Sequence, residues 1–118
     1  GRWGDGAVRR QIGRFEAEVE GIWQLLKLGI SESARTGLPS LVGSAVKLSF
    51  SELYQRIGGF GVELLGRAGL AREDVAGLPA GQMLYDALWS LQFTISGGTS
   101  QIQRNILAER VLGQGKDR

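Results

Sequence analysis

The segment Ser96-Gly97-Gly98-Thr99-Ser100-Gln101 combines residue types and spacing that suit binding chemistry. Two glycines running into a hydroxyl-capped helix start expose backbone N–H groups and a partial positive charge, which fits an anion or the polar edge of a cofactor. Thr99 and Ser100 each offer an N-cap, and Ser100 with Gln103 has the Ser-x-x-Gln spacing of a capping box. On local physics alone the simplest reading is a helix start with a flexible entry. Elsewhere Glu16, Glu18 and Glu20 form a carboxylate run, but residues two apart on a helix diverge, so neither a shared metal ion nor an acid/base dyad is expected there. Gly58-Gly59-Phe60-Gly61 has the glycines of a phosphate loop without its lysine or preceding strand. Zero cysteines and zero histidines exclude disulfides, thiolate chemistry, His-based acid/base work and most transition-metal sites.

Helices must position these residues. Val8, Ile12, Phe15, Val19, Ile22, Leu26 and Ile30 recur every three or four positions and predict a helix over about 7–34, stopped at Gly37. Val42, Val46, Phe50, Leu53, Ile57, Phe60 and Leu64 predict a second over about 40–66, its end marked by Gly66 and Gly69. Gly58, Gly59 and Gly61 in its last turns predict a kink or a close backbone contact. After the longest loop, 68–81, Leu84, Leu88, Leu91 and Ile95 predict a third helix over about 81–95. The fourth runs from about 100 to 112, with fraying from Gly113. Nothing has strand periodicity, and one single helical domain over 1–118 is expected, an all-α antiparallel bundle of about four helices. Gly13, Gly21 and Gly29 recur every eight residues in the first helix, where they either admit a close neighbour or weaken the helix. Trp23, Trp89, Phe15, Phe50 and Phe60 lie on or beside apolar stripes and are expected in the core; Trp3 does not. Lys47 and Arg56 read as surface charges, and Arg104 and Arg110, with Glu109 and Asp117 near enough in sequence to pair with them, as a solvated face or intersubunit salt bridges.

The string from Ile95 to Gly113 resembles the C-terminal signature of the acyl-CoA dehydrogenase family. Val8-Arg9-Arg10-Gln11-Ile12, Ser44-Ala45-Val46-Lys47-Leu48, Ser51-Glu52-Leu53 and Glu63 to Leu70 are similar to earlier helices of the same C-terminal domain, so the likeness spans nearly the whole chain. The resemblance implies a flavoenzyme part that contacts FAD and builds a tetramer core, with each flavin touched by two subunits. It assigns cofactor binding to Gly98, Thr99, Ser100 and Gln101, to Arg10 and Gln11, and to Glu63, Leu64, Leu65, Gly66 and Arg67 at the neighbouring subunit's flavin. Glu63 stands where an amide is usual and Arg67 where glycine is usual, which puts that second contact in doubt and offers Arg67 to a pyrophosphate instead.

The implied reaction is oxidation of an acyl-CoA to a 2,3-enoyl-CoA, in which a carboxylate takes the α-proton as the flavin accepts hydride. Many members carry that base immediately before the Gly-Thr. Gly97 occupies the position here, so no catalytic residue is assigned; other members carry the base on an earlier helix, and some mixed tetramers contain a subunit without it. The N-terminal helical and middle β domains of a complete member are not expected within 118 residues, and the isolated chain is expected to be inactive. Implied partners are acyl-CoA and an electron-transfer acceptor for the complete protein, and further copies in a homo-oligomer or mixed tetramer. The alternative is a helical oligomerisation module that binds no flavin. Fourteen basic against twelve acidic residues, interspersed, give no nucleic-acid face; no apolar run approaches the roughly 20 residues of a membrane span; and a cytoplasmic location is expected.

Overall fold

In the computed structural model, which describes residues 4–115, the chain folds as helices α1 (Gly6–Thr36), α2 (Val42–Leu65), α3 (Ala80–Ser90) and α4 (Ser100–Arg110). Two 3-10 turns, Gly66–Leu70 and Leu91–Thr94, extend α2 and α3. No strand occurs among the described residues, only an isolated bridge between Val75 and Leu78. Trp3 and Asp117 lie outside the described residues.

The helix boundaries follow from caps. Asp5 Oδ1 accepts the Ala7 N–H at 2.8 Å to start α1. Gly37, at φ 70°, ends it in the left-handed conformation that glycine adopts without penalty. Ser40 Oγ then accepts the Val42 N–H at 3.1 Å just ahead of α2, whose N-cap residue Leu41 has no side-chain capping bond. Gly66 turns the chain out of α2 at φ 56°. The predicted third helix splits: its last turn, 91–94, tightens to 3-10 geometry as the chain approaches the Gly97-Gly98 reversal.

Helix α2 is the hub. Phe15 meets Phe60 edge-on at 5.5 Å, and Glu18 pairs with Arg56, so α1 runs antiparallel to it. On another side Gly58 faces Ala87 while Phe50 and Tyr54 surround Phe93, which makes α3 antiparallel as well. Contacts from Lys47 to Gly98 and from Glu52 to Arg104 lay α4 along the first half of α2. Gly58 supplies the close approach expected of the glycine-rich stretch: a Cβ there would sit 2.8 Å from the Ala87 Cα. Helix α2 runs without a break from Val42 to Leu65. Gly13 and Gly21, by contrast, face open space.

The buried apolar core is small, with Phe15, Leu53 and Ala80 at its centre. Trp23 and Trp89, expected inside, are 55% and 46% exposed, and Phe50 is 44% exposed. Their stripes are wider than the single neighbour that each helix face finds. Trp23, Val19 and Phe50 border one open apolar cleft; Trp89 stacks on Tyr85 at 5.8 Å on an outer face of α3.

Candidate functional site

The start of α4 is built by local sequence. Gly97 and Gly98 adopt φ values of 67° and 94°, a left-handed pair that β-carbon-bearing residues resist, and the chain reverses there from α3 into α4. Thr99 is the N-cap, its Oγ1 accepting the Ile102 N–H at 3.2 Å. The expected Ser100–Gln103 capping box does not form. Ser100 is already inside the helix, and the Gln103 amide instead reaches back to donate to the Gly97 carbonyl at 3.1 Å. A β-carbon on Gly98 would lie 2.8 Å from Gln103 Nε2, and the φ of 94° strains one wherever that side chain moves.

From the other side Lys47, half-buried on α2, donates its Nζ to the Gly98 carbonyl at 2.5 Å. It is not the surface charge that the sequence indicated. Arg104 pairs with Glu52, because α4 lies against α2 and brings residues 52 positions apart together. Gln55 donates to Thr94 Oγ1 at 3.0 Å, and that hydroxyl donates to the Leu91 carbonyl at 2.9 Å. Between these elements opens a cleft of about 320 Å³ lined by Glu52, Gln55, Thr94, Ile95, Thr99, Ser100 and Gln101.

Ser100 Oγ is buried in this wall with no hydrogen-bond partner among the described residues. A buried unpaired hydroxyl costs about 1–3 kcal/mol, so its placement at a helix N-terminus fits a site whose ligand completes the bond. The first-turn N–H groups of Ser100 and Gln101 lack intrahelical acceptors by geometry and add donors at the same place. Glu52 would oppose an anion, but Arg104 neutralises it. The donor set therefore fits a polar, hydrogen-bonding cofactor edge.

The other expected site residues fall elsewhere. Glu63, Leu64 and Leu65 close α2, while Gly66 and Arg67 open the following 3-10 turn, with Glu63 and Arg67 exposed. Arg10 and Gln11 sit in the second turn of α1, which the Phe15–Phe60 contact brings to this same end of α2. Glu52 and Gln55 precede Leu65 by ten to thirteen residues, so about 15–20 Å of helix separates the two groups. Gly98 to Gln101 thus form one face, and Arg10, Gln11 and Glu63 to Arg67 another. Glu18, one of the three clustered acids, turns to Arg56, whose guanidinium holds its carboxyl below the ordinary carboxylate value, while Glu20 accepts from Gln24. No group of three metal-ligating side chains occurs among the described residues. No helix there is long and apolar enough to cross a membrane.

The chain belongs to the acyl-CoA dehydrogenase family, matching its C-terminal domain over residues 3–112. It is 34% identical to a 3-sulfinopropanoyl-CoA desulfinase of Paraburkholderia xenovorans, across 90% of this chain and 29% of that protein. It is also 42% identical over 67 residues to the acyl-CoA dehydrogenase IpdE1 of Mycolicibacterium smegmatis, covering 57% of this chain and 16% of the relative. The IpdE1 protein of Mycobacterium tuberculosis is 37% identical over the same length. The chain spans less than a third of the length of these relatives. No solved structure matches it.

Proposed function

We propose that this chain is the FAD-contacting and oligomer-building C-terminal domain of an acyl-CoA dehydrogenase that converts acyl-CoA to 2,3-enoyl-CoA. The observation that carries the reading is the buried, unpartnered Ser100 hydroxyl at the α4 N-terminus, between the Thr99 cap and the cleft. Thr99, Ser100 and Gln101 would hold the cofactor's polar edge, and the Gly97-Gly98 turn lets the backbone approach it. FAD bound here supplies the hydride acceptor for the oxidation of the thioester's α and β carbons. Gly97 contributes no base, so the α-proton must be taken by a carboxylate of the complete protein or of a partner subunit.

Arg10, Gln11 and Glu63 to Arg67, at the far end of α2, suit contact with a second flavin across a subunit boundary, with Arg67 offered to its pyrophosphate. The exposed apolar side chains on α1 and α3, Trp23, Ile30, Leu88 and Trp89 among them, support burial against further copies or against the domains of a complete protein. Those faces also favour a second reading, a helical assembly module that has lost flavin binding, to which Glu63 and Arg67 lend weight.

FAD titration of the purified chain, followed by flavin fluorescence and calorimetry with mass by light scattering in the same buffer, separates the two. Saturable binding weakened by T99V and Q101A is the expected result. A stable oligomer with no saturable binding would establish the assembly module in its place.

A further inference from the structure

Lys47 is the only charged residue between Arg35 and Glu52, and it takes part in no ion pair among the described residues. Its ammonium is spent instead on one backbone carbonyl, that of Gly98, 51 residues away in sequence. The adjacent carbonyl, that of Gly97, is held by Gln103, a residue 7% exposed. Two successive carbonyls of one turn are therefore fixed by two side chains from two helices.

Both peptides are trans, so each N–H points away from the carbonyl of its own peptide plane. Holding the Gly98 carbonyl toward Lys47 directs the Thr99 N–H to the other side, and holding the Gly97 carbonyl toward Gln103 does the same for the Gly98 N–H. A glycine pair is the dipeptide that loses most freedom on being fixed, so left unheld this turn would sample many orientations of those groups. Fixing the donors before the ligand arrives lowers the ordering cost of binding.

We infer that Lys47 is a positioning residue: with Gln103 it clamps the Gly97-Gly98 turn so that the donors of the α4 N-terminus and the Ser100 hydroxyl are preset for the flavin. The inference rests on the flavin reading above, and its test is arranged to separate the two. Lys47 touches no ligand in this scheme; it acts through the backbone it holds.

The test compares the unmodified chain with K47M, which keeps the length of the side chain and removes the donor, and with K47R, which keeps a charged donor. Amide hydrogen exchange at Ile102 and Gln103, whose N–H groups bond to Thr99, is measured without ligand, FAD affinity by titration, and Tm by thermal melting. In K47M, exchange at Ile102 and Gln103 should accelerate about tenfold and FAD affinity should fall about tenfold, the scale of one charge-assisted hydrogen bond. K47R should recover most of both, and exchange elsewhere in α2 should be unchanged. Unaltered exchange at Ile102 and Gln103 in a folded K47M overturns the clamp. So does accelerated exchange with unchanged FAD affinity, which would show a brace irrelevant to binding. If even the unmodified chain binds no FAD, the flavin reading falls and the clamp's role in flavin binding falls with it, while exchange still reports whether Lys47 orders the turn.

Discussion

Substituting alanine at Gly58 and at Gly21 should move stability in opposite directions, although both are helix-interior glycines. Alanine for glycine raises helix propensity by about 1 kcal/mol at either place. At Gly21 a β-carbon meets nothing within 4 Å, so the gain stands. At Gly58 it would lie 2.8 Å from the Ala87 Cα and 3.3 Å from the Ala87 N and Cβ. These are backbone-anchored atoms that cannot rotate aside. Ordinary contact begins at 3.4 Å, so α2 and α3 must separate by more than half an ångström, loosening the packing around Leu53 and Ala80. Such overpacking costs about 1–3 kcal/mol. Taking about 2 kcal/mol, Gly58→Ala loses about 1 kcal/mol net while Gly21→Ala gains up to about 1 kcal/mol. For a domain of this size that gap corresponds to roughly 8 °C in Tm. Urea unfolding followed by far-UV circular dichroism at one low protein concentration measures both without a shift from self-association. Equal stabilisation by the two substitutions would refute the close α2–α3 approach on which this account of the fold depends.

Ser100→Ala should stabilise the ligand-free chain by about 1 kcal/mol, since it removes a buried unpaired hydroxyl, and should weaken FAD binding; denaturation and titration of the one variant check both signs. Ala76 holds φ 49° in the tight reversal between Val75 and Leu78, so Ala76→Gly should raise stability by about 0.5–1 kcal/mol in urea unfolding. Because Arg56 lowers the Glu18 pKa in the folded chain, this pair stabilises above the ordinary carboxylate value near 4.5 and its contribution is lost as pH falls through the lower folded value. Melting curves from pH 7 to pH 3 should therefore show a smaller acid-side loss in Glu18→Gln, and 1 M salt should narrow the difference from the unmodified chain.

Helices α1, α2 and α4 were legible because each carries its own apolar period and a local stop or cap, from Gly37 and Gly66 to Thr99. The end of the third helix was not, because Leu91 and Ile95 keep the helical spacing while the chain tightens into 3-10 geometry; apolar period alone does not distinguish the two over one turn. Periodicity also overstated the core. A stripe shows which face is apolar but not whether this chain supplies the partner, and Trp23 and Trp89 lie where it supplies too little.

The site divides the same way. Gly98 to Gln101 announced themselves through local chemistry, two glycines and two hydroxyls at a helix start, whereas the groups that shape their cleft, Lys47, Glu52 and Gln55, come from a helix some 40 to 50 residues earlier. One signal pointed to Lys47: a lone charge within an otherwise uncharged stretch of α2 has no neighbour one turn away to pair with, so its partner must come from elsewhere in the fold. The separation of the two flavin-type groups follows from antiparallel packing, which sends Arg10 to the end of α2 and Gly98 toward its start. Under the proposed function, a chain built this way would offer one flavin face at each end of its central helix, and the apolar sides left between them are where neighbouring copies would bring complementary faces together.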